Sequence, residues 1–355
     1  MGWEFMQLKN YRASIMIALA FAVSISAFWF FPVPAFIVFI SILLDLLLNP
    51  AVDFLQRKLP RAVAAGLVLA GFVALFLFGL GIVSGVFVPA FGKFVTDFPG
   101  MTAKLHNLTI VQSSDFLTKE IDNIWDVFVQ NGIETVTSSL GVVLSVFNRL
   151  IDAVIIAFVT FYLLQDGKKV EKYVANLFPE QDYRRVYNLF ERILDALRCY
   201  ITSQLAICFL TGCVVFSYFT LRELPYASVF AVVSGIAEFI PVLGPTVASC
   251  LGTVLTATQD PWIALQTAGF YLVLTQVNHN VIYPYLIGKS LNLHPLAIIL
   301  SIVWGGELLG APGMFLAVPI VVICKLVIED IYRDRNDKEK MLEDSRWLHM
   351  TENKL

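Results

Sequence analysis

The chain has 355 residues, a hydrophobic fraction of 57%, a mean hydropathy of +0.73 and 15% charged residues. A soluble domain of this size carries about 25% charged residues, so the composition excludes an ordinary water-soluble protein. A net charge of −3, with no basic tract, gives no footing for a nucleic-acid partner. The five cysteines (Cys199, Cys208, Cys213, Cys250 and Cys324) lie in or beside apolar stretches without C-x-x-C or metal-ligand spacing. They read as small apolar residues.

In chain order, Lys9 and Arg12 precede an apolar run from Ala13 to Phe31. The run is too long for the core of a signal peptide and further spans follow at once, so it reads as a retained first transmembrane helix. A helix needs about 20 apolar residues to cross a hydrocarbon core of roughly 30 Å. The segments 13–31, 34–49, 63–89, 141–164, 199–220 and 262–286 meet that need. Pro32-Val33-Pro34 reads as a tight extended turn between the first two. Asn49-Pro50 reads as the end of the second, followed by a short amphipathic piece, Ala51–Leu59, leading to Pro60-Arg61.

From about 90 to 140 the acids Asp97, Asp115, Glu120, Asp122, Asp126 and Glu134 outnumber Lys93, Lys104 and Lys119. Phe116, Ile121, Ile124 and Phe128 recur near helical spacing there, which predicts a small helical segment outside the bilayer. The stretch from Asp166 to Arg198 is basic, with Lys168, Lys169, Lys172, Arg184, Arg185, Arg192 and Arg198. Basic residues mark the cytoplasmic side. They place both termini, Arg57/Lys58/Arg61, 166–198 and Arg333/Arg335/Lys338/Lys340 inside, with 90–140 outside.

Two stretches in the last third are apolar but interrupted. Tyr226–Thr258 breaks at Pro241-Val242-Leu243-Gly244-Pro245, and Leu296–Val327 breaks across Gly305–Gly313. Unbroken, each would run roughly 50 Å; each half, of about 14 residues, reaches only about 21 Å. Half-helices meeting at a Pro/Gly tip describe a re-entrant hairpin better than a straight span. The expected fold is therefore all-α: a polytopic transmembrane bundle of about eight membrane segments, with two broken or re-entrant hairpins in the C-terminal half. Its expected divisions are an N-terminal membrane region (1–89), an extracytoplasmic segment (90–140), a fourth span with a basic loop (141–198), a transport core (199–330) and a cytoplasmic tail (331–355).

Non-helical backbone at membrane depth leaves polar groups unpaired, at several kcal/mol each, unless protein, water or substrate meets them. Both breaks are thus candidate linings of a polar cavity, and a weak echo links them. Glu238 precedes the Pro241, Gly244 and Pro245 break much as Glu307 precedes Gly310, Pro312 and Gly313. Opposed interrupted segments are the sequence pointer to a transporter binding site. Ionisable groups inside spans are rare and tend to be functional, which singles out Glu238 and Glu307. Gln276, Asn278, His279 and Asn280 form a dense polar cluster in one span, with Gln276 and Asn280 four apart on one face. His279 alone supports no metal reading. Asp45 lies near the cytoplasmic end of its helix, and Arg149 with Asp152, three apart, reads as an ion pair. No H-E-x-x-H, P-loop or G-x-S-x-G motif is present, and no cofactor is expected. The sequon Asn107-Leu108-Thr109 reads as a chance match.

Several passages together resemble one family. They are Phe161-Tyr162-Leu163-Leu164-Gln165-Asp166-Gly167, Glu238-Phe239-Ile240-Pro241-Val242-Leu243-Gly244-Pro245, Pro284 through Gly288-Lys289 to Leu293-His294-Pro295, and Gly306–Gly313 running on to Pro319. Asn49-Pro50 and Pro60-Arg61-Ala62 fit as well. The chain resembles the autoinducer-2 exporter family of bacterial permease-like proteins over nearly its whole length. The resemblance implies an inner-membrane secondary transporter, homo-oligomeric and independent of ATP, binding a small polar solute or cation among membrane lipid. Some relatives are linked to export of autoinducer-2, a small polyhydroxylated signal, and others to sodium or lithium exchange for protons. Three readings follow: an exporter of a small polar solute, a cation/proton antiporter using Glu238 and Glu307, and a membrane scaffold that docks partners through 90–140 or 166–198.

Overall fold

A computed structural model of the chain describes residues 12–106, 119, 139–287 and 293–352. Every element among these residues is helical. In order they are α1 (Arg12–Phe30), α2 (Pro32–Leu55), α3 (Arg61–His106), α4 (Ser139–Ala175), α5 (Tyr183–Leu221), α6 (Ala227–Ala237) and α7 (Leu243–Ala257). Then follow α8 (Pro261–Val277), a π-turn (Asn278–Ile282), α9 (Tyr283–Ile287), α10 (Pro295–Leu309) and α11 (Ala311–Glu352). Five stretches are long and apolar enough to cross a membrane: Pro32–Leu55, Arg61–Lys104, Leu150–Ala175, Tyr183–Leu221 and Ala311–Asn336. The polytopic all-α class read from the sequence is thus what the chain forms. Phe76, Leu77 and Phe78 of α3 are exposed, as befits a helix solvated by lipid rather than water.

Prolines end fewer helices than expected. Pro32 and Pro34 are not an extended turn but the opening turn of α2, and Phe31 alone separates it from α1. Pro suits the first helical turn because the amide it lacks would have no partner there. Asn49-Pro50 does not end α2 either, since the helix continues to Leu55. Pro50 deprives the Leu46 carbonyl of its intrahelical donor, and Arg198 Nε on α5 supplies one at 3.3 Å. Pro89 and Pro99 likewise lie within α3, which runs to His106, well beyond the expected end at residue 89. The expected amphipathic run from Phe116 to Phe128 and the sequon at Asn107 lie outside the described residues, as does the side chain of Arg149.

The chain divides into two compact units. The first comprises Met1–Ala65, Phe158–Tyr200 and Ser290–Leu355. Its core joins Ile17, Val186, Leu189, Tyr200, Val318 and Val322. Beside it Arg185 of α5 binds two carboxylates of α11, Asp330 at 2.7 Å and Asp334 at 2.8 Å. Ser14 of α1 donates to Asp334 at 2.8 Å, so one guanidinium ties three helices. Removing one partner of a buried ion pair leaves a charge uncompensated, at about 3–5 kcal/mol. We expect Arg185→Ala to lower the thermal unfolding midpoint in detergent clearly, whereas Arg57→Ala at an exposed turn leaves it unchanged.

The second unit comprises Gly66–Ala157 and Ile201–Lys289. Phe94, Val215, Phe219, Phe230, Leu255 and Tyr271 form its core. Phe219 and Phe230 stack at 5.0 Å, and Phe94 meets Phe230 edge-on at 6.1 Å. Residues 199–330, expected as one core, are shared between the two units. The break at 238–242 belongs to the second and the one at Gly310 to the first.

Candidate functional site

The site begins with a close helix crossing. A Cβ on Gly235 of α6 would lie 2.9 Å from the Cys208 carbonyl of α5, and one on Gly212 would lie 3.2 Å from the Ala231 carbonyl. Two bare glycines therefore let α6 lie backbone to backbone on α5, as small residues do in membrane helix pairs. That approach carries Glu238, just past the end of α6, onto the polar side of α5. Gln204, Cys208 and Thr211 occupy that side at helical spacing.

Glu238 is 3% exposed. Its Oε1 accepts from Thr211 Oγ1 at 3.1 Å and from Asn278 Nδ2 at 2.8 Å. Asn278 Nδ2 also donates to Thr211 Oγ1 at 2.9 Å, closing a triangle. The Glu238 backbone carbonyl lies beyond the last turn of α6, where carbonyls lack intrahelical donors. Gln204 Nε2, wholly buried, donates to it at 2.6 Å. Tyr283 in turn donates to Gln204 Oε1 at 3.5 Å. Three elements, α5, the π-turn and α9, thus converge on the broken end of α6.

The chain returns from the break through a strained residue. Val242 has φ 70° and ψ −56°, and Leu243 N donates back to the Pro241 carbonyl at 2.9 Å. This is a γ-turn of the disfavoured hand, and a β-branched residue at positive φ is an outlier costing of order 1–3 kcal/mol. Such strain gathers at functional sites because the surrounding structure has to impose it.

Among the described residues of the site, one polar atom has no partner. Asn278 is 1% exposed, its Nδ2 is engaged twice, and its Oδ1 is buried without a donor. A buried orphan acceptor costs about 1–3 kcal/mol, so the site holds an unmet demand for a hydrogen-bond donor or cation. Thr211, Gln204 and Tyr283 were not singled out by the sequence reading. The signal available was the spacing of Gln204 and Thr211, seven apart in an apolar helix. Gln204→Leu removes the donor to the Glu238 carbonyl. We expect it to cost about 1–3 kcal/mol in thermal unfolding and to impair transport, while Asn280→Ala does neither.

The remaining expected site residues fall elsewhere. Pro241 and Gly244 are buried at the break, with Pro245 half-buried beside them. Gln276 and Asn280 bond to each other at 2.8 Å on an exposed face, away from Asn278. Glu307 is exposed on α10, in the other unit from Glu238. Of the Gly305–Gly313 stretch only Gly310 leaves the helix, at φ 64°. Gly305 and Gly313 are where α10 and α11 touch, since a Cβ on Gly313 would lie 1.9 Å from the Gly305 carbonyl. Among the described residues no group of three or more His, Cys, Asp or Glu is placed to hold a metal ion.

A buried polar triangle thus stands at a helix break in an apolar bundle. The sequence model of the AI-2E family of transporters matches residues 15–333. This chain belongs to the AI-2E family. AI-2E transporters are multi-pass membrane proteins that move small solutes, and the similarity extends over most of the length of several relatives. YueF of Bacillus subtilis is 28% identical over 319 residues, 84% of this chain and 86% of that protein. YrrI of the same organism is 29% identical over 328 residues, 88% and 91% of the two chains. Their names assign both to transport without a substrate. TqsA of Escherichia coli, an AI-2 transport protein, is 24% identical over 302 residues, 82% of this chain and 84% of that protein.

Proposed function

We propose that this AI-2E transporter exports a small, hydroxylated, polar solute, autoinducer-2 or a molecule like it, and that the solute binds at Glu238, Asn278 and Thr211. The observation that carries the reading is the orphan Asn278 Oδ1 beside the Glu238 carboxylate. Both present acceptors, and a nearly neutral solute rich in hydroxyl donors meets them without bringing a charge into the bilayer, which costs at least about 2.5 kcal/mol. The name of TqsA supports the choice of autoinducer-2. In the same reading α6–α7 and α10–α11 are re-entrant hairpins, the protein works as a homo-oligomer in a bacterial inner membrane, and both termini are cytoplasmic. Helix length supports the first hairpin and one arm of the second: α6, with 11 residues, and α7 and α10, with 15 each, fall short of the roughly 20 that a bilayer requires, whereas α11 is long enough to cross.

Reconstitution in liposomes tests the proposal. Efflux of loaded autoinducer-2 is measured with and without a proton or sodium gradient, beside Asn278→Ala and Thr211→Val. Solute efflux that both substitutions reduce supports the reading. Sodium–proton exchange without solute efflux replaces it with cation antiport, and the absence of both sinks it.

A further inference from the structure

Glu238 and Asn278 are matched in a way that calls for one more proton. A carboxylic acid and a primary amide pair along two edges, amide N–H to one carboxyl oxygen and carboxyl O–H to the amide oxygen. The first edge is already made, with Asn278 Nδ2 donating to Glu238 Oε1 at 2.8 Å. The second would use the two atoms left over. Asn278 Oδ1 is buried without a donor, and among the described residues both hydrogen bonds to the carboxyl run to Oε1, leaving Oε2 with none.

The same pocket lacks a counter-charge. Glu238 is 3% exposed, and among the described residues no Lys or Arg forms an ion pair with it. The titratable groups that face its carboxyl are the Cys208 thiol on α5 and the Tyr283 phenol on α9, both of types that are neutral near pH 7. His279 of the π-turn is exposed and stacks on the Tyr283 ring at 5.3 Å. On either side of the break, α6 and α7 contain no Asp, Glu, His, Lys or Arg. A charge so enclosed is stable only when a proton or a counter-ion neutralises it. A metal ion needs a shell of oxygens, but Thr211 Oγ1 and Gln204 Oε1 already accept from Asn278 and Tyr283. A proton needs only the two unmet atoms.

We propose that a proton occupies the Glu238–Asn278 pair when solute is absent and that the solute displaces it, so that the transporter exchanges a proton for each solute exported. The inference rests on the solute site proposed above. In the exchange the Glu238 carboxylic acid gives its O–H proton to water. A solute hydroxyl, which keeps its own proton, then donates to the vacated acceptors. Proton and solute compete for Glu238 and Asn278 Oδ1 and are not bound together. A carrier bare of both holds an uncompensated buried charge. Return without a proton is therefore unfavourable, which couples the two fluxes.

The test titrates the full chain in detergent with autoinducer-2, by calorimetry in buffers of different ionisation heat. The wild type is expected to release about one proton per solute at mildly acid pH. Its Kd is expected to rise by up to about tenfold per unit fall in pH, the limit for a single competing proton. In Glu238→Gln binding is expected to be weaker, with neither effect. Infrared difference spectra of the wild type need no variant: the carbonyl band of a protonated carboxyl is expected to vanish when autoinducer-2 is added. Solute binding without proton release and without loss of that band overturns the proposal and leaves the solute site standing. Release that persists in a folded Glu238→Gln, or sodium displaced in place of the proton, overturns it too. Absence of solute binding at every pH overturns both the coupling and the solute reading.

Discussion

Replacing Glu238 by glutamine is expected to leave the fold intact and to lower solute transport by about 10- to 100-fold. The glutamine carbonyl still accepts from Thr211 and Asn278, so the triangle keeps its geometry. What disappears is the charge, and hydrogen bonds to a charged group contribute about 1.5–3 kcal/mol, which is roughly one to two decades in affinity. Thermal unfolding in detergent and liposome efflux separate the two effects. Glu238→Ala is expected to fail in both assays, because it leaves the Thr211 hydroxyl and one Asn278 N–H buried without their shared acceptor. Efflux by Glu238→Gln at the wild-type rate would show that the carboxylate only supports packing, and the solute site would have to be sought elsewhere.

The second large effect is expected at Gly244. A Cβ there would lie 1.7 Å from the Ala237 carbonyl oxygen and 2.4 Å from its carbon. Both are backbone atoms of the facing half-helix, so no rotamer change relieves the clash. Gly244→Ala must push α6 and α7 apart and pull Glu238 away from Gln204 and Thr211. We expect it to cost about 3 kcal/mol or more, at the upper end of overpacking effects, and to abolish transport. Gly79→Ala is the control: nothing lies within 4 Å of its Cβ position, and removing a mid-helix glycine favours the helix by about 0.5–1 kcal/mol. A Gly244→Ala variant that melts and transports like the wild type would refute the close return of the chain at this break.

Much of the architecture was legible because it depends on local composition. Apolar runs of span length gave the helices, and the Pro/Gly tips gave the interruptions at 238–242 and Gly310. What was not legible depends on partners far away in the chain. Pro50 looks like a helix end until Arg198, 152 residues from the Leu46 carbonyl it serves, is folded against it. The same limit hid half of the site. Glu238 and Asn278 stand out as polar residues in apolar stretches. Gln204 and Thr211 acquire meaning only once Gly212 and Gly235 bring α6 onto α5. Conversely, Gln276 and Asn280 share the local signature of Asn278 but pair with each other at the surface.

The π-turn from Asn278 to Ile282 makes the site unusually sensitive to chain length. A π-turn amounts to one residue added to an α-helix, and with 3.6 residues per turn each added residue rotates whatever follows by about 100°. Asn278 faces Glu238 at the start of the turn, and Tyr283, which reaches Gln204, stands just past its end. Both phases hold only at this length. Substitutions within the turn alter single contacts, but deleting any one residue between Asn278 and Tyr283 would swing Tyr283 off Gln204 while leaving every other side chain of the site unchanged. Among relatives, insertions and deletions here, more than substitutions, are the changes able to rewire the site.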